Sequence, residues 1–248
     1  MKIYNFFTKF FFAAVLTIIF IGGYTIANAA DGGVGKFSAN VGYFSEYRFR
    51  GLDQNGEAVA VQGGFDWAHD SGFYVGSWAS NIEFNEATSA SEFDLYAGYA
   101  QEYKNGISID LSLIEYVYPG ATESLNYDYW EISFGVGKEI GPISLSTAIN
   151  WSDTFFGGSG NATYFQGGLY FELPIGISLN GHLGKQWIEH NITYGSPDYI
   201  DYSIGASYSW QGFDLSVSYL DTDIDDTWNG NIQNGKDATV IYSVSKAF

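Results

Sequence analysis

Histidine and cysteine, which most often provide acid–base or transition-metal chemistry, are scarce in this sequence. The 248 residues include three histidines and no cysteine. His69 falls in a predicted turn, His182 in a predicted strand and His190 in a predicted loop, and no spaced motif such as H-E-x-x-H or G-x-S-x-G occurs. We therefore predict no enzyme, no cofactor and no metal site, with a catalytic His182 or His190 as the alternative.

The charge balance is strongly acidic, with 28 Asp and Glu against 10 Lys and Arg and a net charge of −18. Such a chain is a poor candidate for binding nucleic acid or anionic surfaces. The run DTDIDD at 221–226 lacks the glycine and the closing glutamate of a calcium loop. We interpret it as a solvated acidic loop, with loose divalent-cation binding as the alternative.

Charged and amide side chains recur at every second position of segments about ten residues long. Alternate residues of a β-strand face the same side, so these side chains share one face. In the first segment that face carries an acid and two arginines, and elsewhere it is mostly acidic. The candidates for lining a pore are Glu46, Arg48, Arg50, Asp66, Asp94, Glu102, Asp110, Glu131 and His182.

Apolar residues occupy the opposite face of the same segments, a period of two that a helix would not preserve. In the segment 142–153, for example, Ile143, Leu145 and Ile149 alternate with serines and an asparagine. In the third segment, Phe73 and Val75 compete with Tyr74, Trp78 and Ile82 for the apolar face. The predicted strands are 36–50, 57–69, 72–85, 92–104, 106–118, 128–139, 142–153, 162–173, 176–188, 199–211, 212–222 and 236–248.

The connections between these segments alternate between short turns, such as 141–142 and 211–212, and long polar loops, such as 51–56, 154–161 and 223–235. Short turns on one side and long loops on the other are typical of barrels that span an outer membrane. A soluble barrel would turn its apolar residues inward and has no reason for this asymmetry. We therefore predict an all-β fold, a transmembrane antiparallel up-and-down β-barrel of about twelve strands.

Aromatic residues on the apolar face concentrate at the strand ends, while aliphatic residues occupy the middle. Two aromatic girdles around an aliphatic band are typical of a protein with a lipid interface on each side. The alternative is the aromatic core of a soluble sandwich. The predicted girdles are Trp67, Tyr103, Phe171, Trp210 and Phe213 beside the short turns, and Phe49, Phe84, Trp130, Trp151 and Trp187 beside the long loops.

The N-terminus has the pattern of a Sec-type signal peptide: two lysines, the apolar run 10–21 and Ala27-Asn28-Ala29. We predict a cleaved signal peptide at 1–29, a barrel domain at 30–248 and a location in the outer membrane, with a permanent anchor helix as the alternative. The terminal Phe248, preceded by apolar residues at alternate positions, resembles the signal that barrel-assembly machinery recognises. Lys246 interrupts that alternation but can extend to the interface.

Residues 40–84, with SEYRFRG followed by AVQGGFDW and SGFYVGSWASN, resemble the opening of the TorF-type porins. The resemblance implies an exported outer-membrane barrel to which a pore function is ascribed. From the bore of about twelve strands and the mostly acidic inward face, we expect a narrow, cation-preferring channel for small solutes, embedded in outer-membrane lipid and lipopolysaccharide. A closed structural or adhesive barrel that presents its loops is the alternative.

The arginines of the first segment allow two arrangements inside such a barrel. In the first, Arg48 and Arg50 face Asp94 and Glu131 across the lumen and set a transverse field. In the second, both arginines pair locally with Glu46 and stiffen the wall. A buried arginine needs a partner in either case, so the sequence leaves both open.

Overall fold

The computed structural model describes residues 35–84, 88–225 and 236–248. The predicted signal peptide at 1–29 and its cleavage site lie outside the described residues. Within these ranges the helical pieces are short, and none has the length and apolarity needed to cross a membrane. The strands are β1 (Lys36–Phe44), β2 (Arg48–Phe49), β3 (Leu52–Asp53), β4 (Ala60–Ala68), β5 (Phe73–Asn81), β6 (Ser91–Glu102), β7 (Ile107–Val117), β8 (Tyr129–Ile140), β9 (Ile143–Ser152), β10 (Ala162–Glu172), β11 (Ile177–Ile188), β12 (Tyr199–Trp210), β13 (Phe213–Thr222) and β14 (Thr239–Ala247).

Twelve of these strands, β1 and β4 to β14, form one closed barrel in which each strand pairs antiparallel with its neighbours. The barrel closes where β14 pairs with β1, from Asn40 opposite Ala247 to Phe44 opposite Ser243. Closure gives every strand two partners and leaves no exposed edge. The predicted twelve-stranded antiparallel barrel is confirmed.

The connections alternate in length as predicted. The short ones, at 69–72, 103–106, 141–142, 173–176 and 211–212, define the turn side of the barrel. Gln211 and Gly212 have φ values of 52° and 79°, which is the positive-φ pair that a two-residue hairpin turn requires. The long connections define the loop side and include the one-turn helix α1 (Asn191–Tyr194).

The two faces of the barrel differ in polarity, with large apolar side chains on the outside. Phe37 and Phe65 are 73% and 71% exposed. In β5, Phe73 and Val75 point outward while Tyr74 and Trp78 are buried inside, which settles the face that the sequence left open. The Tyr74 ring fits inside because it lies against Gly98 of the neighbouring strand, where any Cβ would overlap it.

The first predicted strand was too long. β1 ends at Phe44, and residues 45–59, which we call the inserted segment, turn into the barrel and form the small hairpin β2–β3. Arg50 and Gly51 have φ values of 49° and 83°, a left-handed pair that cannot continue a strand and reverses the chain there. Phe49, which was predicted at the lipid interface, is therefore buried inside together with Tyr47.

Candidate functional site

The inserted segment crosses the lumen on the loop side and contacts opposite walls. The Tyr47 hydroxyl donates to Glu92 of β6 over 2.9 Å. Burial, followed by the charges of Glu92 and Asp94, holds the pKa of Tyr47 well above its ordinary value of 10. On the other wall, the Thr239 hydroxyl of β14 donates to Glu46 over 2.8 Å. The segment therefore occupies the cross-section of the lumen at this level.

Arg50 lies at the centre of this level and is 3% exposed. Its guanidinium donates to Glu131 of β8 over 2.7 Å and to Gln186 of β11 over 2.8 Å. The same group lies 4.2 Å from the ring centroid of Tyr164 and 4.7 Å from that of Phe49. Arg50 thus joins two distant walls through charge-assisted hydrogen bonds, the stronger kind of protein hydrogen bond.

Arg48 pairs locally instead. Its Nε donates to Glu46, its Nη1 donates to the Gly51 carbonyl over 3.4 Å, and its Nη2 lies 3.6 Å from Glu57. Each of the two arrangements that the sequence allowed therefore holds for one arginine. Arg50 faces an acid across the lumen, and Arg48 stiffens the inserted segment.

Carboxylates outnumber cations where the inserted segment meets the wall. Glu92 accepts from Tyr47 and from Tyr118, the latter over 3.2 Å, and Glu131 is paired with Arg50. Asp94 is fully buried, and neither of its carboxyl oxygens has a hydrogen-bond partner among the described residues. Burial without a partner disfavours the charged form of a carboxyl group, so Asp94 would gain from contact with water.

An aromatic cluster covers the inserted segment from the loop side. The Tyr127 and Phe156 rings are stacked at 4.4 Å, and Phe84 packs edge-on against both. Tyr194 of α1 joins the cluster, and burial raises its pKa to about 12. Phe84 and the buried Phe49 were predicted as lipid-interface residues, and both assignments are wrong because these rings pack over or inside the lumen.

The turn side of the lumen is acidic. Two carboxylates are held by tyrosines: Tyr96 donates to Asp66 over 2.5 Å, and Tyr74 donates to Asp110 over 2.8 Å. The turn-side carboxylates at inward positions are Asp66, Glu102, Asp110, Glu139, Glu172 and Asp214. In the described strands, Lys36 is the one basic residue at an inward position on this side.

A cavity of about 50 Å³ remains between the inserted segment and the wall formed by β11 to β14. His182 lies beside it, with Nε2 2.9 Å from Asp201, which also accepts from Tyr164 over 2.7 Å. The volume is enough for one or a few water molecules. The cavity is lined by Glu46, Arg48, Gln62, His182, Asp201 and Ser218, among others.

Most candidates from the sequence therefore point into the lumen, but they divide into levels. Glu46, Arg48, Arg50, Asp94 and Glu131 meet at the inserted segment; His182 lies beside the cavity; Asp66, Glu102 and Asp110 lie on the turn side. Sequence reasoning missed Glu92 and Asp201, although each shares the inward alternation of its strand and could have been found from it.

The structure gives little basis for a metal centre. Among the described residues, no group of three or more His, Asp or Glu side chains is arranged to hold a metal ion. In the acidic run, Asp221 accepts from Tyr202 over 2.9 Å and Asp223 accepts from the Ile200 amide over 2.6 Å, so both stabilise the loop. Asp226 lies outside the described residues, and divalent binding by this run stays an untested alternative.

Three comparisons place this geometry among known proteins. Residues 27–248 match the model of a family described as a bacterial protein of unknown function, Gcw_chp. Among solved structures, the chain is similar to a KdgM porin in complex with disordered oligogalacturonate, with a TM-score of 0.59 and 10% identity over 85% of this chain and 99% of that one. It is also similar to the NanC porin, with a TM-score of 0.53 and 9% identity over 86% and 98%. No curated protein matches the sequence.

At such low identity these likenesses concern the fold, and they support the predicted porin-like barrel. The name TorF-type is not confirmed.

Proposed function

This chain belongs to the Gcw_chp family of bacterial proteins of unknown function, and on that premise we propose that it is an outer-membrane porin. It forms a narrow channel for small solutes and prefers cations. Its structural neighbours are porins and not enzymes, and no catalytic role is proposed.

The outer surface supports a place in a lipid bilayer. Apolar side chains cover the middle of the barrel wall, and exposed aromatic residues such as Trp210 on the turn side and Trp151 and Trp187 on the loop side flank them. Lys246 lies 4.9 Å from the ring centroid of Phe213 and 5.4 Å from that of Phe248, beside the turns, where its ammonium reaches water. Export by the signal peptide, assembly through Phe248 and contact with lipopolysaccharide belong to the same proposal.

The proposed cation preference rests on the charge of the lumen. Six carboxylates lie at inward positions on the turn side against one lysine, and the two arginines of the inserted segment are already paired with acids. A low-dielectric wall lined with one sign of charge concentrates counter-ions in the lumen. Oligogalacturonate, which is bound by the KdgM porin, is a polyanion, so this lumen would repel it.

A closed barrel that presents its loops is the second candidate, and the inserted segment favours it. Tyr47, Arg50 and the aromatic cluster pack tightly on the loop side, and the cavity beside the inserted segment has a volume of only about 50 Å³. A channel function requires that small ions pass beside the segment or that the segment moves.

Single-channel recording of refolded protein in a planar bilayer separates the two candidates. A porin gives discrete conductance steps that carry mainly cations. Absence of steps from protein with the compact gel mobility of a folded barrel would instead support the closed barrel.

A further inference from the structure

We propose that the inserted segment is a gate whose closed position is held by Arg50 and opposed by Asp94. If the segment moved out of the lumen, it would open a wider path lined by Glu92, Asp94 and Glu131. This inference rests on the proposed channel function and adds a moving part to it.

The inserted segment is attached to the wall in a way that permits release. Residues 46–53 make their backbone hydrogen bonds within the segment, through the β2–β3 hairpin and from the Gln54 amide to the Tyr47 carbonyl, as far as the described residues show. Side chains supply their contacts with the barrel strands. Two backbone hydrogen bonds of 2.9 Å hold the ends of this stretch, from the Ser45 amide to the Tyr242 carbonyl and from the Glu83 amide to the Gln54 carbonyl. Residues 46–53 between them can therefore leave the lumen without breaking a strand ladder, as expected of a unit that opens locally.

Arg50 is the latch of the closed position. It holds Glu131 of β8 and Gln186 of β11 at once, so it ties the tip of the hairpin to two walls. Breaking one partner of a buried ion pair is strongly unfavourable to the arrangement that buries it. Loss of the Glu131 charge should therefore favour the open position.

Asp94 acts in the opposite direction. Its carboxyl group is fully buried while the segment is in place, and no described residue forms a hydrogen bond with it. Release of the segment would let water reach that carboxylate, which stabilises the open position. Replacing Asp94 with a neutral isostere removes this driving force and should favour the closed position.

These two acids give a matched pair of substitutions for single-channel recording. Glu131→Gln removes the charged partner of Arg50, and Asp94→Asn removes a carboxyl group that meets water only when the segment leaves. A channel with a fixed segment would show no change of open probability in either variant. The gate predicts opposite responses: open probability rises about tenfold or more in Glu131→Gln, given the strength of a buried ion pair, and falls in Asp94→Asn.

Glu139→Gln is the control. Glu139 lies on the same strand as Glu131 and also faces the lumen, but it lies at the turn end of that strand. Its open probability should match the wild type. Responses of the same sign in Glu131→Gln and Asp94→Asn would overturn the gate.

A reversible crosslink tests the motion itself. A Cβ placed at Gly51 would overlap Cγ2 of Thr222, at 2.5 Å, so Gly51→Cys with Thr222→Cys brings two side chains into contact from which a disulfide can form. The φ of 83° at Gly51 adds backbone strain to this variant. Native cysteines are absent, so no other disulfide competes. The control is Tyr219→Cys with Val240→Cys, a pair that faces each other outside the barrel on neighbouring strands.

The gate predicts that the variant with the oxidised Gly51–Thr222 pair conducts several-fold less than its reduced form. The conductance of the control pair and of the wild type should not change with the reductant. If the crosslinked variant carries the same current as the wild type, the gate is wrong and the porin proposal stands. No current from any folded protein, oxidised or reduced, would overturn the porin and the gate together. If the crosslinked variant fails to fold, the opposite responses of the two acid variants decide.

Discussion

The double variant Arg48→Ala, Arg50→Ala should raise conductance and strengthen cation preference. Both guanidinium groups lie inside the lumen, and each is paired with an acid, Glu46 or Glu131, that stays behind after the substitution. Removing them leaves the wall more acidic and takes away the side chain that crosses the lumen.

The magnitude follows from Coulomb's law. In a water-filled lumen, one unit charge about 5 Å from a passing ion changes its energy by roughly 0.8 kcal/mol, or about fourfold in local ion concentration. Loss of one positive charge should thus raise the local cation concentration, and lower that of anions, by about that factor. The effect should weaken at high salt because exposed charges are screened.

Reversal potentials across a salt gradient measure this change. Arg50→Lys is the matched control, since it keeps the charge but loses the fork that reaches Glu131 and Gln186 together. Because it keeps the luminal charge, its selectivity should lie closer to that of the wild type than that of the double variant does. Unchanged conductance and selectivity in the double variant would refute the reasoning and leave both arginines purely structural.

Three further predictions concern folding and topology. Replacing Tyr242 and Phe248 with serine should lower the amount of folded barrel without blocking export; heat-modifiable gel mobility measures it, and a normal compact band would contradict the assembly signal. Tags in the loops 118–128 and 153–161 should be open to protease on intact cells while tags in the turns 69–72 and 173–176 should not, and the reverse pattern would mean that the barrel is inverted. Gly98→Ala should destabilise the barrel by about 1–3 kcal/mol because its Cβ would overlap the Tyr74 ring. Gly167→Ala is the control and should destabilise it less, because the nearest atom to its Cβ is 3.7 Å away. Urea unfolding in detergent measures both, and equal losses of stability would contradict the role of this packing.

The strand count and the polarity of the faces could be predicted because both depend on a local period of two. Alternation along each segment is enough to say that Asp66, Asp94 and Glu131 face one side and Phe37 or Leu145 the other. The alternating lengths of the connections then gave the two ends of the barrel.

The inserted segment could not be predicted by the same means. Glu46, Arg48 and Arg50 keep the alternation of β1, although the chain reverses at Arg50 and Gly51. The hairpin inside the barrel is held by contacts such as that of Arg50 with Glu131, 81 positions apart. A local pattern in the sequence gives no information on such contacts. The same limitation explains why Phe49 and Phe84 were predicted at the lipid interface.

The sign of the wild-type reversal potential tests the central claim most directly. Refolded protein in a planar bilayer under a tenfold gradient of potassium chloride should show discrete steps. Its reversal potential should have the sign set by potassium, because the lumen is acidic. A reversal potential near zero or of the chloride sign would contradict a cation-preferring channel, and a silent bilayer with folded protein would contradict a channel of any kind.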